Sequence, residues 1–91
     1  MTLRIAVVGA SGRMGRAIAR LAHSEGDAVV AAIAVDLGGS DMGVLAGIDR
    51  SGVLLSSDLG DIARSDAQVI IDFSSANALP AVCEAARAAG L

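Results

Sequence analysis

Arg4-Ile5-Ala6-Val7-Val8-Gly9-Ala10-Ser11-Gly12-Arg13-Met14-Gly15-Arg16 decides the fold of this 91-residue chain. The stretch opens with an apolar, β-branched run that stops at a glycine, the pattern of a strand buried on both faces of a parallel sheet. Beyond the glycines a helical period takes over. Met14, Ala17, Ile18, Leu21 and Ala22 fall at spacings of 0, 3, 4, 7 and 8 and predict one apolar stripe facing the core. Arg16, Arg20 and His23 lie off that stripe, and Gly26 is placed to end the helix. Ala28 to Val35 then reads as a second strand, closed by Asp36.

Gly9, Gly12 and Gly15 therefore lie between a strand and a helix, and Asp36 follows Gly15 by 21 residues. Each part has a job in holding a dinucleotide. Gly9 permits the tight turn off the strand, Gly12 lets the backbone approach a pyrophosphate, and Gly15 lets the helix pack closely on the sheet. The unpaired N–H groups at the helix start meet the pyrophosphate's negative charge. Asp36 would accept hydrogen bonds from the adenosine ribose. The spacing is G-x-x-G-x-x-G and not the commoner G-x-G-x-x-G, so its weight comes from the strand before it, the helix after it and the acid at the right distance. Arg13 opens the helix beside the phosphate position, either as a charge-assisted contact to it or as a solvated side chain.

Further along, residues 37–52 contain five glycines and read as a loop, with one helical turn over Met42 to Ala46. Val53 to Leu55 predicts a short third strand, and Asp58 to Arg64 a short helix capped by Asp58. Ala67 to Phe73 predicts a fourth strand. The last helix is expected to take Asn77 as N-cap, which puts Pro80 where its missing N–H costs nothing. Leu79, Val82, Cys83 and Ala86 would be its buried stripe, and Gly90 its end. The order β-α-β-loop-β-α-β-α predicts an α/β fold, a Rossmann-type parallel sheet with flanking helices. Another strand would normally follow. Residues 1–91 are thus expected to be part of a dinucleotide-binding domain, its first half to two-thirds, with any substrate or oligomerisation domain outside this chain.

Composition narrows the function classes. The chain is 54% hydrophobic, too apolar for disorder. Its longest apolar run is far short of the roughly 20 residues a membrane span needs, and the start lacks the apolar stretch of a secretory signal. A cytoplasmic chain is expected. All seven basic residues are Arg against ten acidic ones, net −3, which argues against nucleic acid as the main partner. One Cys excludes an internal disulfide. With one His besides, no metal site is expected. Phe73 is the sole aromatic, so the core must be built from Ala, Val, Ile and Leu.

Three segments together resemble one family. Val8-Gly9-Ala10-Ser11-Gly12-Arg13-Met14-Gly15-Arg16 resembles the cofactor loop of the bacterial dihydrodipicolinate (4-hydroxy-tetrahydrodipicolinate) reductases. Ser40 to Gly47 is similar to that family's S-D-x-G-x-L-A-G, and Val69 to Ser74 to its V-x-I-D-F-T/S. The resemblance spans the chain. It implies reduction of a cyclic intermediate of diaminopimelate and lysine synthesis with NADH or NADPH. It further implies Gly9, Ala10, Ser11, Gly12, Arg13, Met14 and Gly15 at the pyrophosphate, Asp36 at the adenine ribose and Phe73 near the nicotinamide. The family's S-H-H-x-x-K catalytic segment and its G-T-T-G turn do not occur here. No catalytic residue is therefore assigned, and the chain alone is expected to be inactive. The segment after Asp36 is shorter than usual, and Leu37 stands where many members carry Arg. NADH is expected to be preferred over NADPH. A homo-oligomer, a tetramer in the family, is expected only with the remaining domain present.

Two other functions compete. One is the cofactor domain of an aspartate- or homoserine-type dehydrogenase, disfavoured by the second and third segments. The other is a nucleotide-binding module without turnover. Among single residues, His23 reads as a surface group favouring the helix dipole, and Cys83 as a small core residue. Asp72 reads as a cap on the turn that follows it, with Ser74 and Ser75 as turn residues at the same edge.

Overall fold

A computed structural model describes residues 2–74 and 79–91. Strand β1 (Arg4–Val8) leads through helix α1 (Arg13–Ser24) to strand β2 (Ala28–Ile33). Two short helices follow, α2 (Met42–Leu45) and α3 (Asp61–Arg64), then strand β3 (Val69–Asp72) and helix α4 (Leu79–Ala88). The sheet order is β2-β1-β3, all parallel. A bulge between Ile5 and Ala6 leaves Val30 as the extra residue on β2.

The first strand is the hub because its side chains alternate between two cores. Ile5 and Val7 join Ala32, Ala34, Ala19, Ala22, Met42 and Leu55 on the α1 and α2 side. Ala6 and Val8 join Ala31, Ile33, Ile62 and Val82 on the α3 and α4 side. Helices thus cover both faces of a Rossmann-type sheet, as expected for buried parallel strands. With so many alanines, close approach of elements replaces bulk. The sole aromatic, Phe73, is 40% exposed and contributes nothing to either core.

The structure corrects several boundaries. β2 stops at Ile33, and Val35 is 99% exposed. Its ladder partner β1 has already ended, so the apolar sequence past Ile33 has nothing to pair with. Val53 to Leu55 forms no strand, which leaves three strands among the described residues. That segment is shared between two neighbours: Leu54 bridges Asp41 antiparallel, and Ser56 bridges Ile33 parallel. One bridge on each side is too little for a ladder. β3 covers Val69–Asp72 only, although Gln68 N–H donates to the Arg4 carbonyl (2.8 Å) and Phe73 N–H to the Val8 carbonyl (2.9 Å).

The helices shift as well. On α1 the buried residues are Gly15, Ala19 and Ala22, whereas Met14 and Leu21 are more than half exposed. The small residues face the sheet because the helix lies too close for large ones. α3 begins at Asp61 after Gly60, because Asp58 turns its carboxylate onto the Gly60 N–H (2.9 Å) and Arg64 (2.6 Å). Arg64 also reaches Asp61 (2.5 Å). These exposed groups hold the two carboxylates below their usual range and the guanidinium above its own, a small surface contribution. On α4, Val82 is buried, with Ala85 and, just past the helix end, Ala89 packed against the same core, while Cys83 is exposed. The cysteine therefore lies one position off the packed stripe. The expected cap Asn77 lies outside the described residues.

Burial separates two residues that look alike in sequence. Ile62 is fully buried and Leu21 is 57% exposed. Ile62→Ala is expected to cost about 2–5 kcal/mol of unfolding free energy, and Leu21→Ala about 0.5 kcal/mol or less. Urea titration of the two variants checks this, and equal losses would contradict the placement of α1.

Candidate functional site

The glycine loop is tied to the sheet by one carbonyl. The Ile33 oxygen accepts from both Gly9 N–H (2.8 Å) and Ala10 N–H (3.0 Å). Gly9 has φ +82°, and a Cβ there would stand 2.8 Å from the Phe73 carbonyl carbon. Any side chain would therefore push the loop off the end of β3. At Gly15 a Cβ would stand 2.6 Å from the Gly9 oxygen and 2.7 Å from Ala10 Cα, so α1 reaches the sheet only with glycine at that contact.

Gly12 is different. A Cβ there would meet only the Gly9 oxygen, at 3.5 Å, an ordinary contact. Nothing in the fold demands glycine at position 12. It is the N-cap of α1 and supplies no capping side chain. Among the described residues, the N–H groups of Ser11, Arg13, Met14 and Gly15 have no hydrogen-bond partner. A row of open donors at a helix start, beside an unshielded backbone, fits an anionic group.

The remaining predicted residues gather unevenly around this row. Ser11 Oγ donates to Asp36 Oδ1 at 2.5 Å, joining the loop to the acid beyond β2. Arg13 and Met14 are exposed. Ala10 is fully buried in the α1-side core with its N–H spent on Ile33, so it shapes the loop from beneath. Phe73 lies at the end of β3, its backbone against Gly9. Asp72 accepts from Ser74 N–H (2.8 Å) and Ser74 Oγ (2.5 Å), the turn cap that the sequence suggests. His23 is exposed in the last turn of α1. Arg16, just past the loop, keeps a buried Nε with no partner among the described residues.

Sequence reasoning missed Asp41. It caps α2 through Val44 N–H (3.1 Å) and accepts from Ser51 N–H (2.9 Å), Ser51 Oγ (3.3 Å) and Gly52 N–H (2.7 Å). The residue is only 7% exposed. One carboxylate thus closes the loop 40–52 onto itself. A Cβ at Gly43 would collide with the Asp49 oxygen and stand 3.1 Å from Asp41 Oδ1. The available signal was the Asp directly before the predicted helical turn, an N-cap position.

The family comparison follows this geometry. The model of the family described as dihydrodipicolinate reductase, N-terminus, matches residues 3–91. The chain belongs to that family. It is 42% identical to a 4-hydroxy-tetrahydrodipicolinate reductase of Archaeoglobus fulgidus over 98% of this chain and 34% of that protein. It is 44% identical to one of Alkalilimnicola ehrlichii, over 99% of this chain and 35% of the relative. It is also 44% identical to one of Saccharophagus degradans, over 93% and 34%. The chain spans about a third of the length of these curated relatives. In this chain Ser40 to Gly47 is the segment that the Asp41 carboxylate closes onto Ser51 and Gly52. Among the described residues, no helix is long and apolar enough to cross a membrane, and no group of three or more His, Cys, Asp or Glu is placed to hold a metal ion.

The Asp41 carboxyl is lowered to about 2, chiefly by the Ser51 N–H, against a smaller opposing effect of burial. Its folded value lies below its unfolded one, so it stabilises the fold above about pH 4, and that contribution is lost as pH falls toward 2. Urea midpoints are expected to fall over this window in the unmodified chain. Asp41→Asn is expected to be less stable at pH 7 and flatter below pH 4. Parallel pH profiles for the two proteins would contradict the closure.

Proposed function

We propose that this chain is the NAD(P)H-binding part of a 4-hydroxy-tetrahydrodipicolinate reductase of diaminopimelate and lysine synthesis. The observation that carries the reading is the set of open N–H groups at Ser11, Arg13, Met14 and Gly15 beside an unshielded Gly12. The family match supports it. Gly9 to Gly15 receive the pyrophosphate, with the N–H groups of Ser11, Arg13, Met14 and Gly15 as donors and the Arg13 guanidinium as a second source of positive charge. Asp36 takes the adenine ribose hydroxyls. Phe73 faces the nicotinamide side, at the carboxyl edge where ligands of open α/β sheets bind.

Bound NADH or NADPH supplies a hydride to the cyclic imine-type substrate. This chain's residues bind and orient the dinucleotide. The groups that hold the substrate, deliver a proton and form the oligomer belong to the rest of the protein, as the share of the relatives spanned suggests. The chain has no Lys and its one His is exposed at the far end of α1, so neither residue type completes the transfer as an acid here.

Gly12→Val tests the loop cleanly, because the fold itself leaves room there. The variant is expected to keep its helical circular dichroism and lose dinucleotide binding by calorimetry. Unchanged affinity would refute the reading.

Cofactor choice follows from charge. A 2′-phosphate would bring roughly two negative charges against the Asp36 carboxylate, and Leu37 offers no cation. Like charges meeting there cost about 1–3 kcal/mol, or about 5- to 150-fold in affinity. NADH is expected to bind tighter than NADPH. Leu37 already holds a left-handed conformation, φ +58°, so Leu37→Arg adds no new backbone strain. It is expected to narrow the gap by improving NADPH. Dissociation constants at one ionic strength decide it.

A further inference from the structure

Asp36 stands on exposed backbone beyond β2, between Val35 and Leu37, both exposed as well. The chain is anchored on either side of it. Ala34 N–H donates to the Ser56 carbonyl and Gly39 N–H to the Leu55 carbonyl, each at 2.9 Å. Those bonds fix the backbone and leave the carboxylate to choose among its rotamers. The contact that chooses comes from the opposite side, the 2.5 Å hydrogen bond from Ser11 Oγ. Ser11 is itself held, because the two preceding N–H groups both end on the Ile33 carbonyl. The loop therefore presents a hydroxyl to a carboxylate that has no other hydrogen-bond partner among the described residues.

We infer that Ser11 is a positioning residue for cofactor selection, holding the Asp36 carboxylate in the pose that accepts a ribose diol and repels a 2′-phosphate. The inference rests on the dinucleotide reading given above and deepens it. A serine hydroxyl carries one proton, and here that proton goes to Asp36. What the pair offers an incoming group is then acceptor lone pairs and one negative charge. A ribose diol brings two donors and matches this arrangement. A phosphate brings only acceptors and more negative charge. Without the hydroxyl, Asp36 swings among rotamers. The diol loses a fixed acceptor, while the phosphate escapes a fixed repulsion. The ratio of the two affinities therefore shifts toward NADPH, which a loss of folding or of loop shape would not produce.

The experiment compares Ser11→Ala and Ser11→Thr with the unmodified protein at full length. NADH and NADPH dissociation constants are measured at one ionic strength, and ligand-free crystal structures are compared at Asp36. In Ser11→Ala, NADH is expected to weaken about fivefold and NADPH to tighten or stay within about twofold. Asp36 is expected to spread over more than one rotamer. Ser11→Thr keeps the hydroxyl and is expected to restore both. Equal weakening of the two cofactors, an unchanged ratio, or Asp36 in its original rotamer in Ser11→Ala overturns the inference. Binding of neither dinucleotide by the unmodified protein is a separate result. It overturns the reading of the loop, and the selection role with it, even if Asp36 proves fixed by Ser11.

Discussion

A single carbonyl oxygen, that of Ile33, organises this molecule. It accepts two consecutive N–H groups, from Gly9 and Ala10, where a parallel ladder would supply only one. The second bond turns the chain off β1 and fixes where the loop begins. Everything at the carboxyl edge inherits that position. Gly9 is pressed on the end of β3, Gly15 is pressed on Gly9, and Ser11 is carried to Asp36. The loop is therefore held by neighbours on three sides and open on the fourth, where its unused donors lie. Donors held in place before a ligand arrives are preorganised, and preorganisation of this kind lowers the cost of binding.

The poverty of large side chains explains why the packing is so exacting. The two cores contain many alanines and no aromatic ring, so each contact supplies little apolar area. Stability then depends on short distances between elements, and short distances demand small residues at fixed positions. Polar closures complement this. Asp41 gathers the loop 40–52 beside the buried Met42 and Ala46, and its hydrogen bonds spare four donor groups from going unpaired.

The sheet, its parallel sense and the strand-loop-helix unit were legible because hydrophobic period and glycine spacing act locally. The joining of Gly9, Gly12, Gly15 and Asp36 at one edge was legible for the same reason. Apart from the start of α3, set by the local Asp58–Gly60 contact, the errors are tertiary. The stripe on α1 was read by hydrophobicity, which chose Met14 and Leu21, while the closeness set by Gly15 brought Ala19 and Ala22 inward instead. Val53 to Leu55 has a strand's composition but is claimed on one side by the Asp41 loop and on the other by β2. Cys83 was placed by a helical stripe that is offset by one residue. Asp41 escaped notice because its partners lie up to 11 residues away and are, except for the Ser51 hydroxyl, backbone groups, which leave no mark in a sequence. The Ser11–Asp36 bond, spanning 25 residues, was equally invisible.

β1 is the first strand in the chain and the central one in the sheet. During synthesis it soon gains β2, but its other flank waits for β3, more than 60 residues later. Until then one edge of the hub strand offers unpaired backbone groups to any passing chain. Such non-local pairing slows folding, since the loop between the strands must close before its contacts can form. During synthesis the protein therefore passes through a stage in which its centre is made and half covered. That interval is when a chaperone has most to protect.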